Sequence, residues 1–224
     1  MIKVIGFDGN GVLYYRDTDF TDALMRYIRE RHLPDFDLEG GAELQLKLMR
    51  DAFSGGISKD ESLRRFLDAI GILGAKERED ILRKERELSR RISLFPGEKE
   101  ALLQLERRGF KLGMITNSYQ SASEKASWFR GLGLDCIAST IVSSIDAGVA
   151  KPDVGIYLEF SLRVGFAPWE IAFVGHEKSE LDGAREAGML PISFNCSPKI
   201  REQTHLEKFA DLVDLFQSPG LELV

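Results

Sequence analysis

Cysteine is scarce in this chain: only Cys136 and Cys196 carry a thiol among 224 residues. They stand far apart and match no metal-binding or redox spacing, so neither a disulfide framework nor a zinc or CxxC centre organises the chain. Both are expected to be reduced thiols, as is usual in a cytoplasmic protein. Positive charge is also in deficit. Thirty Lys and Arg against 36 Asp and Glu leave a net charge of −6, which favours solubility and argues against a general nucleic-acid surface. No apolar run approaches the roughly 20 residues of a membrane span. No signal-peptide pattern precedes the first apolar run. Internal repeats and low-complexity segments are absent as well. The expectation is a cytoplasmic protein with neither membrane nor nucleic acid as partner, and its oligomeric state is undetermined.

What is present is ordinary globular material, 43% hydrophobic and 29% charged, in a length that holds one full domain plus a smaller insert. The pattern changes character twice. Ile2 to Phe7 reads as a buried strand. From Asp17 to Ile92 the pattern is helical, with Phe20, Leu24 and Ile28 at helical spacing. Ser58-Lys59-Asp60-Glu61 reads as a capping box opening a helix through Leu63, Phe66, Leu67 and Ile70, which Gly71 and Gly74 then break. Lys76 to Arg91 is densely charged and reads as a solvated helix. After Phe95-Pro96-Gly97, helices alternate with strands. Helices are expected at Glu98–Arg108, Ser121–Leu132, Asp153–Val164 and Glu180–Ala187. Strands are expected at Phe110–Ile115, Ser139–Val142, Ile171–Val174 and Pro191–Phe194. A final helix and terminal segment span Gln203 to Phe216. Repeated βα units imply a doubly wound parallel sheet with helices on both faces. The fold class is therefore α/β, with a core of residues 1–16 and 93–224 and an inserted all-helical cap of residues 17–92.

Four strand ends carry candidate chemistry. Phe7-Asp8-Gly9-Asn10-Gly11 places a carboxylate where the first strand stops, at the edge where open α/β sheets bind ligands. Met114-Ile115-Thr116-Asn117-Ser118 ends a strand in a hydroxyl. Ala150-Lys151-Pro152-Asp153 supplies a fixed cation. Val174-Gly175-His176 is followed by Glu180, Gly183 and Ala184. Each run alone is a weak signal, but their order, each at a strand end, is a strong one. Together they resemble the haloacid dehalogenase-like (HAD) superfamily over nearly the whole chain. The resemblance implies a Rossmannoid core with Asp8 as nucleophile, Thr116 and Asn117 at the transferring phosphoryl group, and Lys151 neutralising both. A small phosphorylated metabolite would be the partner, and a cap after the first motif would exclude water from the cleft.

The departures fall on acids. The first motif of that family is usually Asp-x-Asp-Gly, and its second acid, a general acid/base, is here Asn10. The fourth motif should carry two Asp where this chain has His176 and Glu180. Mg²⁺ would bridge Asp8, the Asn10 backbone carbonyl and the first of those positions. An imidazole there predicts weak Mg²⁺ binding, since Mg²⁺ prefers hard oxygen ligands. Loss of acid/base function at Asn10 is worth about 10²–10⁴ in rate. Efficient Mg²⁺-dependent turnover is accordingly not expected. Three readings stay open. The chain is a non-catalytic descendant, keeping a phosphate-sized pocket or serving as a protein-interaction module. Or it is a hydrolase with altered machinery, using Mn, Fe, Ni or Zn at Asp8, His176 and Glu180, or no metal and a protonated His176. Or it is a conventional but slow phosphomonoesterase. Asn10-Gly11 is also a deamidation-prone pair whose Asp product would restore the family acid. Glu180 has a simpler role open to it, as a first-turn acid favoured by the helix dipole. Lys178 reads as solvated, and His32 and His205 receive no role.

Overall fold

The computed structural model describes residues 1–53 and 56–217. Residues 54–55 of the expected cap and 218–224 of the expected core lie outside the described residues. Strand β1 (Val4–Phe7) leads into the cap helices α1 (Phe20–Arg31), α2 (Leu38–Phe53), α3 (Lys59–Ala69) and α4 (Ala75–Ser89). The chain then returns through α5 (Glu98–Arg107) to β2 (Lys111–Thr116), α6 (Ala122–Gly131), α7 (Asp135–Ala138) and β3 (Ile141–Ser143). It continues as α8 (Ser144–Ala147), α9 (Val154–Val164), β4 (Ile171–Gly175), α10 (Lys178–Glu186), β5 (Leu190–Phe194), β6 (His205–Leu206) and α11 (Asp211–Leu215).

The strands form one sheet in the order β3-β2-β1-β4-β5-β6, and every pairing is parallel. Such strands are apolar throughout because helices cover both faces. Successive side chains take opposite faces. Phe173 packs with Val4, Ile115 and Phe160 on one side, while Val174 packs with Phe7, Met114 and Phe129 on the other. β1 is central, and Phe7 lies opposite Met114 of β2 and Val174 of β4. The sheet extends from β1 in both directions, which makes the C-terminal end of β1 the switch point where such folds bind ligands.

The cap has its own apolar cluster, in which Leu24, Met25 and Ile28 of α1 meet Phe66 and Leu67 of α3 and Ile81 and Leu88 of α4. Two chain crossings join it to the core. Tyr15 and Ser93 exchange backbone hydrogen bonds of 2.9 Å each. Beside them the Arg16 guanidinium donates to the carbonyls of Leu88, Ser89 and Arg91 at 3.0, 2.7 and 2.9 Å. A cation at a helix C-terminus satisfies carbonyls that have no partner within the helix. Among the described residues no helix is long and apolar enough to cross a membrane.

Three local expectations need correction. At Ser58 the hydroxyl accepts from the Glu61 N–H at 3.1 Å, but the Glu61 carboxylate turns to Arg64 and Arg65, so the capping box is only half formed. The full box lies at Ser121 and Glu124 instead. The strand expected at Ser139–Val142 is Ile141–Ser143, because α7 and its closing turn occupy the preceding residues. The helix expected from Gln203 is two elements, β6 at the sheet edge and the short α11. Leu206 of β6, Phe209 of the segment between and Leu212 of α11 serve the core.

Candidate functional site

Asp8 follows β1 directly, and its N–H donates to the Val174 carbonyl at 2.9 Å, which continues the β1–β4 ladder by one bond. The chain then turns on itself, with the Gly9 carbonyl accepting from the N–H of Leu13 at 2.8 Å. Two glycines in this turn allow close approach. A Cβ on Gly9 would fall 2.8 Å from Thr116 Oγ1. Gly11 has φ of +89°, and a Cβ there would collide with the His176 ring. Any side chain at Gly11 would displace the imidazole as well as strain the backbone. Asn195, itself at φ 50°, donates its amide to the Gly11 carbonyl at 2.9 Å and ties the end of β5 to the turn.

Lys151 lies at the centre of the electrostatics. Its ammonium donates to Asp8 Oδ1 and stands 3.0 Å from Glu180 Oε1. Burial would pull this ammonium toward neutrality, but Asp8 and Glu180 together hold its pKa above the ordinary value. Glu180 is pushed up, first by burial and also by Asp8, against the opposing pull of Lys151. Its Oε2 is buried without a hydrogen-bond partner. Glu180 thus sits in the first turn of α10, as the dipole reading expects, with its head turned inward to Lys151. His176 Nε2 lies 3.9 Å from the second Asp8 oxygen and 3.7 Å from Glu177 Oε1. Asn117 grips the backbone of Lys151 at both ends. It donates to the Lys151 carbonyl at 2.9 Å and accepts from its N–H at 2.7 Å. Its side chain therefore positions the lysine. The solvated Lys178 pairs with Asp182 on the surface.

These groups open on a cavity of about 400 Å³ lined by Asp8, Asn10, Thr116, Asn117, His176 and Glu180. The cap lines it with Phe20 of α1 and with Leu46, Met49 and Phe53 of α2. The structure adds residues that sequence reasoning missed. Lys125 and Tyr14 line the same cavity, and Lys125 donates to the Tyr14 hydroxyl at 2.8 Å. A signal for Lys125 existed, since it shares the buried face of α6 with Ala126, Trp128 and Phe129. Tyr119 bridges core to cap, donating to Glu85 of α4 at 2.6 Å.

The donor set fits an octahedral Mg²⁺ poorly. One Asp8 oxygen and one Glu180 oxygen are engaged by Lys151, and an imidazole occupies the place of a carboxylate. Mg²⁺ needs hard oxygen ligands in near-ideal geometry.

The family model described as haloacid dehalogenase-like hydrolase matches residues 2–188. Phosphatase MT3486 of Mycobacterium tuberculosis is 27% identical over 204 residues, covering 90% of this chain and 91% of that protein. Glyceraldehyde 3-phosphate phosphatase of Methanothermobacter thermautotrophicus is 31% identical over 115 residues, about half of each chain at 51% and 50%. Among solved structures, 2-haloacid dehalogenase of Pseudomonas syringae superposes with a TM-score of 0.72 at 22% identity, over 96% of this chain and 97% of that one.

Proposed function

Given that the chain belongs to the haloacid dehalogenase-like hydrolases, we propose that it hydrolyses small phosphomonoesters with Asp8 as nucleophile and His176 as proton carrier. One observation carries this reading. Asp8 lines the cavity with Oδ1 held by the buried Lys151, and Oδ2 is the oxygen nearest His176. Curated relatives that act on phosphate esters, the Mycobacterium and Methanothermobacter proteins above, support the substrate class.

In the first step Asp8 Oδ2 attacks phosphorus and the bond from phosphorus to the alcohol oxygen breaks. The departing oxygen takes a proton from the His176 imidazolium, leaving an aspartyl phosphate. In the second step neutral His176 takes a proton from water as the water attacks phosphorus. The bond to Oδ2 then breaks, which restores the Asp8 carboxylate and releases phosphate. Lys151 and the Thr116 hydroxyl stabilise the equatorial oxygens throughout, since phosphoryl transfer depends chiefly on position and charge. No step is routed through a metal, because the donor set fits Mg²⁺ poorly.

Steady-state hydrolysis of a panel of small phosphomonoesters, in EDTA and with Mg²⁺, Mn²⁺, Zn²⁺ or Ni²⁺ added in turn, tests the proposal. Expected is turnover in EDTA that falls at least about 10³-fold in Asp8→Asn, the scale on which a nucleophile acts. Equal rates in wild type and Asp8→Asn contradict it. Silence under every condition favours the non-catalytic pocket.

A further inference from the structure

We propose that Lys125 forms a second anion-binding point in the cavity, taking a carboxylate at the far end of the phosphorylated substrate. The inference rests on the reading of Asp8 as the reacting end and extends it to the substrate's other end.

Two lysines among the described residues are buried, and their surroundings differ sharply. Lys151 has the carboxylates of Asp8 and Glu180 against its ammonium. Lys125 is 1% exposed, and no carboxylate of the described residues forms an ion pair with it. Even the half-buried Lys59 at the cap rim has two acid partners, Glu85 and Glu124. What Lys125 does have is one hydroxyl and two aromatic faces. It donates to Tyr14 Oη at 2.8 Å. Its ammonium lies 4.8 Å from the Trp128 ring centre and 5.1 Å from that of Tyr14.

An ammonium carries three donors and no acceptor. Ring faces attract it but do not replace a carboxylate, and a charge taken out of water is normally paired. The direction open to Lys125 is the cavity it lines. Gln120 lines the cavity too, and its Oε1 already accepts from Ser118 at 2.8 Å. The amide nitrogen, a donor, has no hydrogen-bond partner among the described residues. A carboxylate matches both groups, because it accepts only and is charged. The Tyr14 hydroxyl fixes the ammonium in advance, so that binding loses little side-chain freedom.

The test uses two non-hydrolysable ligands of similar size that differ at one end, 3-phosphonopropionate and propylphosphonate. Their dissociation constants are measured by calorimetry on the wild-type protein and on Lys125→Met, whose folding is checked by thermal melting. The wild type is expected to bind 3-phosphonopropionate about tenfold more tightly or better, the scale of one charge-assisted hydrogen bond. In Lys125→Met the ratio of the two constants is expected to fall to about one. The proposal is overturned by equal affinity in the wild type, by failure to bind either ligand, or by a ratio that survives in Lys125→Met. Should the variant fail to fold, the wild-type ratio decides. Binding preference does not require turnover, so failure of the hydrolytic reading and failure of the subsite give different results.

Discussion

Glu98 has the simplest surroundings of the buried acids and gives the clearest pH signature. It is fully buried at the start of α5, where Oε2 accepts from the Phe95 N–H at 2.8 Å and Oε1 has no partner. Burial pushes its pKa up from 4.5 to about 8. The folded state therefore holds a proton that the unfolded state releases above about pH 4.5. Stability from this residue is fully present below that value and is lost as pH rises toward the folded value, at up to about 1.4 kcal/mol per unit. Glu98→Gln keeps an acceptor for Phe95 and removes the titration. Urea unfolding should show the variant gaining on wild type by at least about 1 kcal/mol between pH ~5 and pH ~7.5. A difference independent of pH would contradict protonated burial. The same logic of partners applies to Glu180, where Lys151 opposes the effect of burial only in part and the carboxyl is still pushed up.

At the scale of elements, the crossing between β1 and α1 is held by Arg16 as well as by chain connection. Its guanidinium lies 5.7, 5.8 and 5.7 Å from the rings of Tyr14, Phe20 and Trp128 while it donates to the end of α4. Arg16→Leu should leave the core sheet unchanged and loosen the end of α4. Hydrogen exchange of the amides of Arg86 to Ser93 is expected to quicken by about tenfold or more, on the scale of the lost charged hydrogen bonds. Exchange that quickens equally in β1 and β4 would contradict a local hinge role. Much at this scale was legible in the sequence. β1, β2, β4 and β5 are apolar runs bounded by turns, and Asp8 and Thr116 stand at the ends of β1 and β2 as the motif order puts them, whereas Lys151 lies not at a strand end but in the loop between α8 and α9, because the short α8 follows β3. The short elements were not legible. β6 is two residues long, and α7 and α8 span one turn each, too short to carry a period. The half-formed box at Ser58 was misread because two arginines compete for Glu61. Asn117 lay in the right motif, but its grip on Lys151 joins residues 34 apart, which no local pattern reveals.

At the scale of the whole molecule, cap and core meet through polar contacts as well as through chain. Tyr119 of the core reaches Glu85 of the cap, and Lys59 of the cap lies 2.6 Å from Glu124 of the core and 3.4 Å from Glu85. Glu85 is a buried acid reached by a hydroxyl and an ammonium, an arrangement in which loss of one partner is far more harmful than the pair is helpful. Helix α3, which begins at Lys59, packs on α2, whose Leu46, Met49 and Phe53 line the cavity; exclusion of water there would strengthen the electrostatics of the chemistry proposed for Asp8. The central claim is that Asp8 becomes covalently phosphorylated beneath the cap. The most direct measurement is acid quench of the protein mixed with a rapidly turned-over phosphomonoester in EDTA, followed by peptide mass analysis. A phosphoryl group on the peptide carrying Asp8, absent from Asp8→Asn, is the predicted result. Hydrolysis that proceeds equally well in Asp8→Asn and leaves that peptide unmodified would contradict the account.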